Sequence, residues 1–347
     1  MDVKTKTAFL FPGQGAQAVG MGKDLYDAFA PAREVFDRAE AVTGLPLKRL
    51  CFEGPEDELA RTDNAQPAIF TVSAALLACL RDMLPAGVAV ANRPAYLAGL
   101  SLGEYTALYA ADCIDFDDAL RLVKLRGAAM QKAATAVRSS MVAIMGLDEA
   151  KVNELCQAAS QGEPLVAANF NAPGQIVVSG GLSACQRAEA MAKEFGASGA
   201  TMLKVAGAFH SPIMAPAADE LGAALDGVTF RAPRGLGLAG EDVEILSNVE
   251  GRPYGCLCRA KQLLMTQLTG GVRWQQSMDF LLAQGVEIFY EIGPGRVLAG
   301  LMRRINRKAE VVTINGREPL EKFVDSFRAS VDPACWQSEN KASKVDT

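Results

Sequence analysis

Residues 95–104 read Ala-Tyr-Leu-Ala-Gly-Leu-Ser-Leu-Gly-Glu. Ala95–Leu100 is a short apolar run of strand type, and Leu102–Ala111 has helical spacing, so Gly99-Leu100-Ser101-Leu102-Gly103 falls at a strand-to-helix turn. Gly-x-Ser-x-Gly in that context is the pattern of a nucleophile elbow. Small flanking residues let strand and helix approach closely while the serine takes strained backbone angles and projects from the carboxyl edge of a sheet. The helix N-terminus favours negative charge developing there. A strand–helix turn with a capping serine carries the same letters, so the pentapeptide alone leaves both readings open.

A serine needs a base within hydrogen-bond reach to act as a nucleophile at neutral pH. The chain holds one histidine, His210, which excludes zinc sites built from two or three histidines within one chain and makes His210 the sole imidazole available. It lies in Gly207-Ala208-Phe209-His210-Ser211-Pro212, a loop start where a side chain can be aimed at a cleft. Near the start, Thr7–Phe11 reads as a strand ending in Pro12-Gly13-Gln14-Gly15-Ala16-Gln17. That turn fits neither the dinucleotide fingerprint nor the phosphate-binding loop with its Lys-Ser/Thr, but a backbone N–H from it could form an oxyanion hole with the N–H of Leu102.

An amphipathic pattern predicts a helix over Met21–Ala41, and another over Asp117–Ala134, with Asp115, Asp117 and Asp118 at its start and Arg126 within it. From Met141 the elements shorten: strand Met141–Leu147, helix Asp148–Ala159, strands Leu165–Phe170 and Gln175–Gly180 across an Asn171–Gly174 turn, helix Leu182–Phe195, strand Thr201–Val205. This is the β-α-β-β-α-β order of a ferredoxin-like unit. We expect it as a small inserted domain at 138–206, with a discontinuous large α/β domain at 1–137 and 207–331 and a disordered tail at 332–347. Beyond the insertion the pattern gives strand Val243–Val249, helices Arg259–Leu268 and Trp274–Gln284, strand Val286–Ile292, helix Val297–Arg307 and strand Val311–Ile314. Alternating strands and helices imply a mainly parallel sheet.

Composition bounds the function. The 347 residues allow a large globular core, and half of them are hydrophobic with 22% charged. With 35 Lys+Arg against 40 Asp+Glu the net charge is −5, which gives nucleic acid no general attraction. Eight cysteines are too sparse for a disulfide scaffold and form no Cys-x-x-Cys, Cys256 and Cys258 being closest, so a reducing compartment is expected. The start lacks a signal-peptide pattern, and Ala68–Leu80 falls short of the roughly 18 residues of a membrane span, so the expectation is a soluble cytoplasmic protein with no membrane partner.

Phe11–Gln17, Gly99–Glu104, Arg126 in Lys124-Leu125-Arg126-Gly127, Asn171–Gly180, Gly207–His210, Ser247-Asn248-Val249, Gln267 with Val272-Arg273-Trp274, and Tyr290–Gly295 stand in the order of one known family. Over about residues 6–315 the chain resembles the malonyl-CoA:acyl carrier protein transacylases and the related acyltransferase domains of polyketide synthases. The resemblance implies an α/β-hydrolase-like large domain with a ferredoxin-like insertion. It implies Ser101 as nucleophile, His210 as its base, Gln14 and Leu102 as backbone donors to the oxyanion, Arg126 as the binder of the malonyl carboxylate, and the main-chain carbonyl of Gln267 as the group orienting the imidazole. Malonyl-CoA and an acyl carrier protein are the implied partners, with no cofactor beyond the coenzyme A thioester as substrate. The chain departs from the family at Leu100, where histidine is frequent, which bears on the choice of acyl group.

Arg126 suits this chemistry because a planar guanidinium holds a carboxylate bidentately, although a helical arginine is also commonly a surface charge paired with an acid. A serine hydrolase would share the elbow and the histidine, but no Asp or Glu is clearly placed between Ser101 and His210 as a third member. A binding subunit without catalysis, the alternative from another class, would not need Ser101, His210 and Arg126 together. A trans-acting acyltransferase of polyketide type remains within the same chemistry. Arg303, Arg304, Arg307 and Lys308 form a local basic cluster, and the resemblance implies an acidic carrier that could dock there.

Overall fold

The computed structural model describes residues 6–84, 94–234 and 243–329; the expected tail at 332–347 and most of the loop before Val243 lie outside them. Among the described residues, ten strands form two sheets. The larger holds β1 (Lys6–Phe11), β2 (Pro94–Gly99), β7 (Glu244–Ser247), β8 (Arg252–Pro253), β9 (Val286–Ile292) and β10 (Glu310–Ile314) in the order β10-β9-β1-β2-β7-β8. All neighbours are parallel except β7 and β8. The smaller sheet holds β3 (Ser139–Met145), β4 (Leu165–Ala172), β5 (Gln175–Gly181) and β6 (Gly199–Met202) in the order β4-β5-β3-β6, antiparallel throughout. Helices Glu149–Ser160 and Leu182–Met191 complete the ferredoxin-like unit.

β1 sits at the centre because Ala8, Phe9, Leu10 and Phe11 are buried on both faces, as a parallel strand covered by helices requires. Burial of each large apolar side chain contributes about 1.5–3 kcal/mol. The register pairs Phe11 with Gly99 and Leu10 with Glu291, so the carboxyl ends of β1, β2 and β9 finish at one edge. In open α/β sheets that edge is where ligands bind.

Several expectations need correction. The single helix over Met21–Ala41 is two, Lys23–Ala28 and Ala30–Thr43, with Phe29 extended between them. Pro31, near the start of the second, has no N–H with which to continue the first. The last strand of the small sheet stops at Met202, and the helix over Leu182–Phe195 stops at Met191. The longest helix, Thr62–Met83, was read from sequence only as too short for a membrane span; it is buried on nearly every side and so has no polar face to give a period. No helix of the described residues is long and apolar enough to cross a membrane. Cys256 and Cys258 are joined as a disulfide across one residue, a pairing not expected from sequence, while the other five described cysteines are free and buried.

Candidate active site

Ser101 has φ 53°, in the left-handed region, immediately before helix Gly103–Ala110. Its flanking glycines are required by contact. A Cβ on Gly99 would sit 1.9 Å from the carbonyl carbon of Gly103, and one on Gly103 would sit 2.1 Å from the carbonyl oxygen of Phe11. The elbow is clamped by Asn248, whose Oδ1 accepts from Ser101 N–H at 2.6 Å and whose Nδ2 donates to Gly99 O at 2.7 Å.

Ser101 Oγ lies 2.8 Å from His210 Nε2, and His210 Nδ1 lies 2.6 Å from the main-chain oxygen of Gln267. A carbonyl only accepts, so Nδ1 carries the proton and Nε2 offers its lone pair to the serine. His210 itself has φ 56° and is 4% exposed. Its loop is tied down on either side: Ala208 N–H donates to Ser139 Oγ at 3.1 Å, and Ser179 Oγ donates to Phe209 O at 2.6 Å. Burial, reinforced by the positive charge of Arg126, pushes the imidazole down to about 4 against the pull of the Gln267 carbonyl, leaving it neutral at physiological pH.

Arg126, on helix Phe116–Ala136, is not a surface charge. It is 1% exposed, and its Nη2 donates to Ser101 Oγ at 3.0 Å and to Gln267 Oε1 at 2.8 Å, while Nη1 donates to Gln66 Oε1 at 2.7 Å. All three acceptors are neutral. Among the described residues Nε has no acceptor. A cavity of about 360 Å³ opens over these groups, bounded by Ser101, His210 and Arg126, by Gln14 of the first turn, and by the apolar side chain of Leu100. The turn is fixed to the elbow by Leu100 N–H donating to Phe11 O at 3.0 Å. Among the described residues the N–H groups of Gln14 and Leu102 have no recorded acceptor, and the Gln14 side chain donates to Thr62 Oγ1 at 3.4 Å.

The buried arginine beside a serine that meets an imidazole is the decisive observation. Residues 8–247 match the acyl transferase domain family. The chain is 38% identical over 331 residues to the malonyl CoA-acyl carrier protein transacylase of Bacillus subtilis (strain 168), covering 95% of this chain and all of that one. It is 41% identical over 301 residues to the protein of the same name from Escherichia coli (strain K12), covering 87% and 93%. The chain belongs to the malonyl CoA-acyl carrier protein transacylase family. A malonyl-transacylase solved in complex with its type II PKS acyl-carrier protein superposes with a TM-score of 0.85 at 36% identity, covering 93% of this chain and 100% of that one.

Within this transacylase fold the structure brings together Ser101, His210, Arg126, Gln267, Gln14 and Leu102. The basic cluster lies apart from them: Arg303, Arg304, Arg307 and Lys308 are exposed, on and after helix Val297–Ile305. The same helix reaches the cavity through Val297 and Leu301. Glu291, fully buried, accepts from Leu298 N–H and Ala299 N–H, both at 2.9 Å, and so anchors that helix by its N-terminus. Sequence reasoning assigned no role to Asn248, Gln66, Glu104 or Tyr254. Asn248 and Glu104 stood inside quoted motifs, but nothing local says what their side chains meet. On the ferredoxin-like side, Asn171 Oδ1 and Gln175 Oε1 are buried without partners among the described residues, and both residues line the cavity. No group of three or more His, Cys, Asp or Glu able to hold a metal ion occurs among the described residues.

Proposed function

We propose that the protein moves a malonyl group from malonyl-CoA to the phosphopantetheine thiol of an acyl carrier protein through an ester on Ser101. His210 Nε2 takes the Ser101 proton as Oγ attacks the thioester carbon, and the oxyanion is held by the N–H groups of Gln14 and Leu102. Collapse breaks the carbon–sulfur bond and returns the proton from His210 to the departing coenzyme A thiolate. The carrier thiol then enters by the same route, giving its proton to Nε2, attacking the ester carbon, and releasing Ser101 Oγ, which takes the proton back.

The observation that carries the substrate is Arg126: a desolvated cation with neutral acceptors only, facing the cavity 3.0 Å from the nucleophile. The malonyl carboxylate is separated from the thioester carbonyl by a single methylene, so an acyl group on Ser101 would carry its charge to the guanidinium. The unpartnered oxygens of Asn171 and Gln175 suit the amide N–H groups of an entering pantetheine arm.

Intact-mass spectrometry after mixing with malonyl-CoA tests the reading. One malonyl adduct, mapped to Ser101, absent in Ser101→Ala and discharged only on adding a carrier bearing phosphopantetheine, is the expected result. Rapid loss to water would make the protein a hydrolase, and no adduct at all would make it a binder. Running the discharge with carriers of fatty-acid and polyketide type separates those two settings.

The basic cluster supplies the docking step of the same proposal. Its charge can raise the on-rate for an acidic carrier despite the net −5 of the chain. Arg303→Glu with Arg304→Glu is expected to slow transfer to the carrier by about tenfold at low salt while self-acylation from malonyl-CoA is retained. Loss of neither half-reaction would place docking elsewhere.

A further inference from the structure

Joined to Arg126 through the side-chain amide of Gln267 lies a second buried ionisable group. Glu104 is 1% exposed and sits in the first turn of helix Gly103–Ala110. An acid there ordinarily serves its own helix. The oxygens of Glu104 go elsewhere: Oε2 accepts from Gln267 Nε2 at 2.6 Å, and Oε1 accepts from Asn248 N–H at 3.3 Å and from Tyr254 OH. Burial raises the carboxyl to about 7, against the three donors and Arg126, which hold it down.

The side-chain amide of Gln267 therefore stands between opposite charges. Its Nε2 donates to Glu104 and, at 2.9 Å, to Ser101 O, and its Oε1 accepts from Arg126. The two ends of an amide have nearly the same shape and opposite hydrogen-bonding character. Turned over, the group would set N–H against the guanidinium and oxygen against the carboxylate, losing two charge-assisted bonds at once.

We propose that Glu104 is a positioning residue for recognition of the substrate charge: it locks the Gln267 amide with its oxygen toward Arg126, and it balances the guanidinium through that amide without occupying the donors a carboxylate needs. A carboxylate in direct contact with Arg126 would compete with the substrate. One amide away, it compensates a buried cation that would otherwise be costly to hold. The inference rests on the reading of Arg126 as the malonyl binder.

The test is competition between malonyl and acetyl thioesters at pH 8, above the value of about 7 to which burial raises Glu104, read as the ratio of kcat/KM values for the native chain, Glu104→Gln, Arg126→Ala and the double variant. Glu104→Gln is expected to lower the malonyl-to-acetyl ratio by about 10- to 100-fold, the scale of losing a bond to a charged group. In the Arg126→Ala background the same change should leave the ratio where Arg126→Ala alone puts it. Tyr254→Phe, which also loosens Glu104 but spares its bond to Gln267, should keep the native ratio whatever it does to Tm. A ratio unchanged in Glu104→Gln, or lowered equally in Tyr254→Phe, overturns the proposal. A ratio unchanged in Arg126→Ala instead overturns the carboxylate reading beneath it. Should Glu104→Gln not fold, Glu104→Asp carries the test: it withdraws the carboxylate from Gln267 by one methylene and should lower the ratio at least about threefold, and an unchanged ratio there is equally fatal.

Discussion

Arg126→Ala is expected to cut malonyl transfer by roughly 30- to several-thousand-fold while acetyl transfer holds or rises. The range follows from about 2–5 kcal/mol for removing one partner of a desolvated charge pair, most of it the cost of leaving the malonyl carboxylate buried and alone. The setting makes the upper part of the range the relevant one, because the guanidinium is 1% exposed and is held by three neutral acceptors, Ser101 Oγ among them. Acetyl brings no carboxylate, so for it the variant only widens the cavity. The measurement is direct competition between the two thioesters, expressed as kcat/KM. Preference for malonyl surviving in Arg126→Ala would leave the substrate assignment without a physical basis.

His210→Ala should slow acylation of Ser101 by about 10²–10⁴-fold, the usual worth of a positioned general base. Its pH dependence gives a second reading. With the imidazole held down to about 4 by burial and by Arg126, the acid limb of kcat/KM for the native chain should fall near pH 4, well below the ordinary histidine value. Arg126→Ala removes one of those two causes, so its acid limb, followed with an acetyl thioester, should move upward. An acid limb near 6.5 in the native chain would show a solvated imidazole and contradict the buried geometry. Stability follows the same sign. The unfolded histidine takes a proton below about 6.5 and the folded one only near 4, so this contribution is fully present above 6.5 and is lost as pH falls between the two.

The elbow was legible because it is short and steric: Gly99 and Gly103 are demanded by backbone contacts within a few residues of Ser101, and the hydrophobic run before them marks the strand. The imidazole partner of Ser101 was legible by elimination, there being one histidine. The ferredoxin-like unit was legible because its elements are short and separated by clear turns. What sequence could not show was convergence over distance. Gln66 lies on a helix whose apolar surroundings erase its period, and it meets Arg126 from 60 residues away. Asn248 reaches Ser101 across 147 positions and Tyr254 reaches Glu104 across 150, distances over which no spacing rule operates. The break at Phe29 was visible in Pro31 but outweighed by an amphipathic pattern that runs through both helices.

The small sheet is stitched beside the site to the segment that follows helix Ala260–Thr269 by a short parallel bridge: Phe170 N–H donates to Val272 O at 2.9 Å and Val272 N–H to Ala168 O at 2.8 Å. The next residue, Arg273, reinforces it, with its guanidinium 4.1 Å from the Phe170 ring centre and Nη1 donating to both carboxylate oxygens of Glu149. Five residues before the bridge stands Gln267, whose carbonyl lies 2.6 Å from His210 Nδ1. The wall along which an acyl-bearing arm would slide and the oxygen that meets the imidazole therefore share one strap. Coenzyme A and a carrier protein present the same pantetheine end on very different bodies, and a compliant wall would let each body set the angle of the base for itself. Here that angle is fixed when the chain folds, so both halves of a shuttle reaction would meet the same alignment.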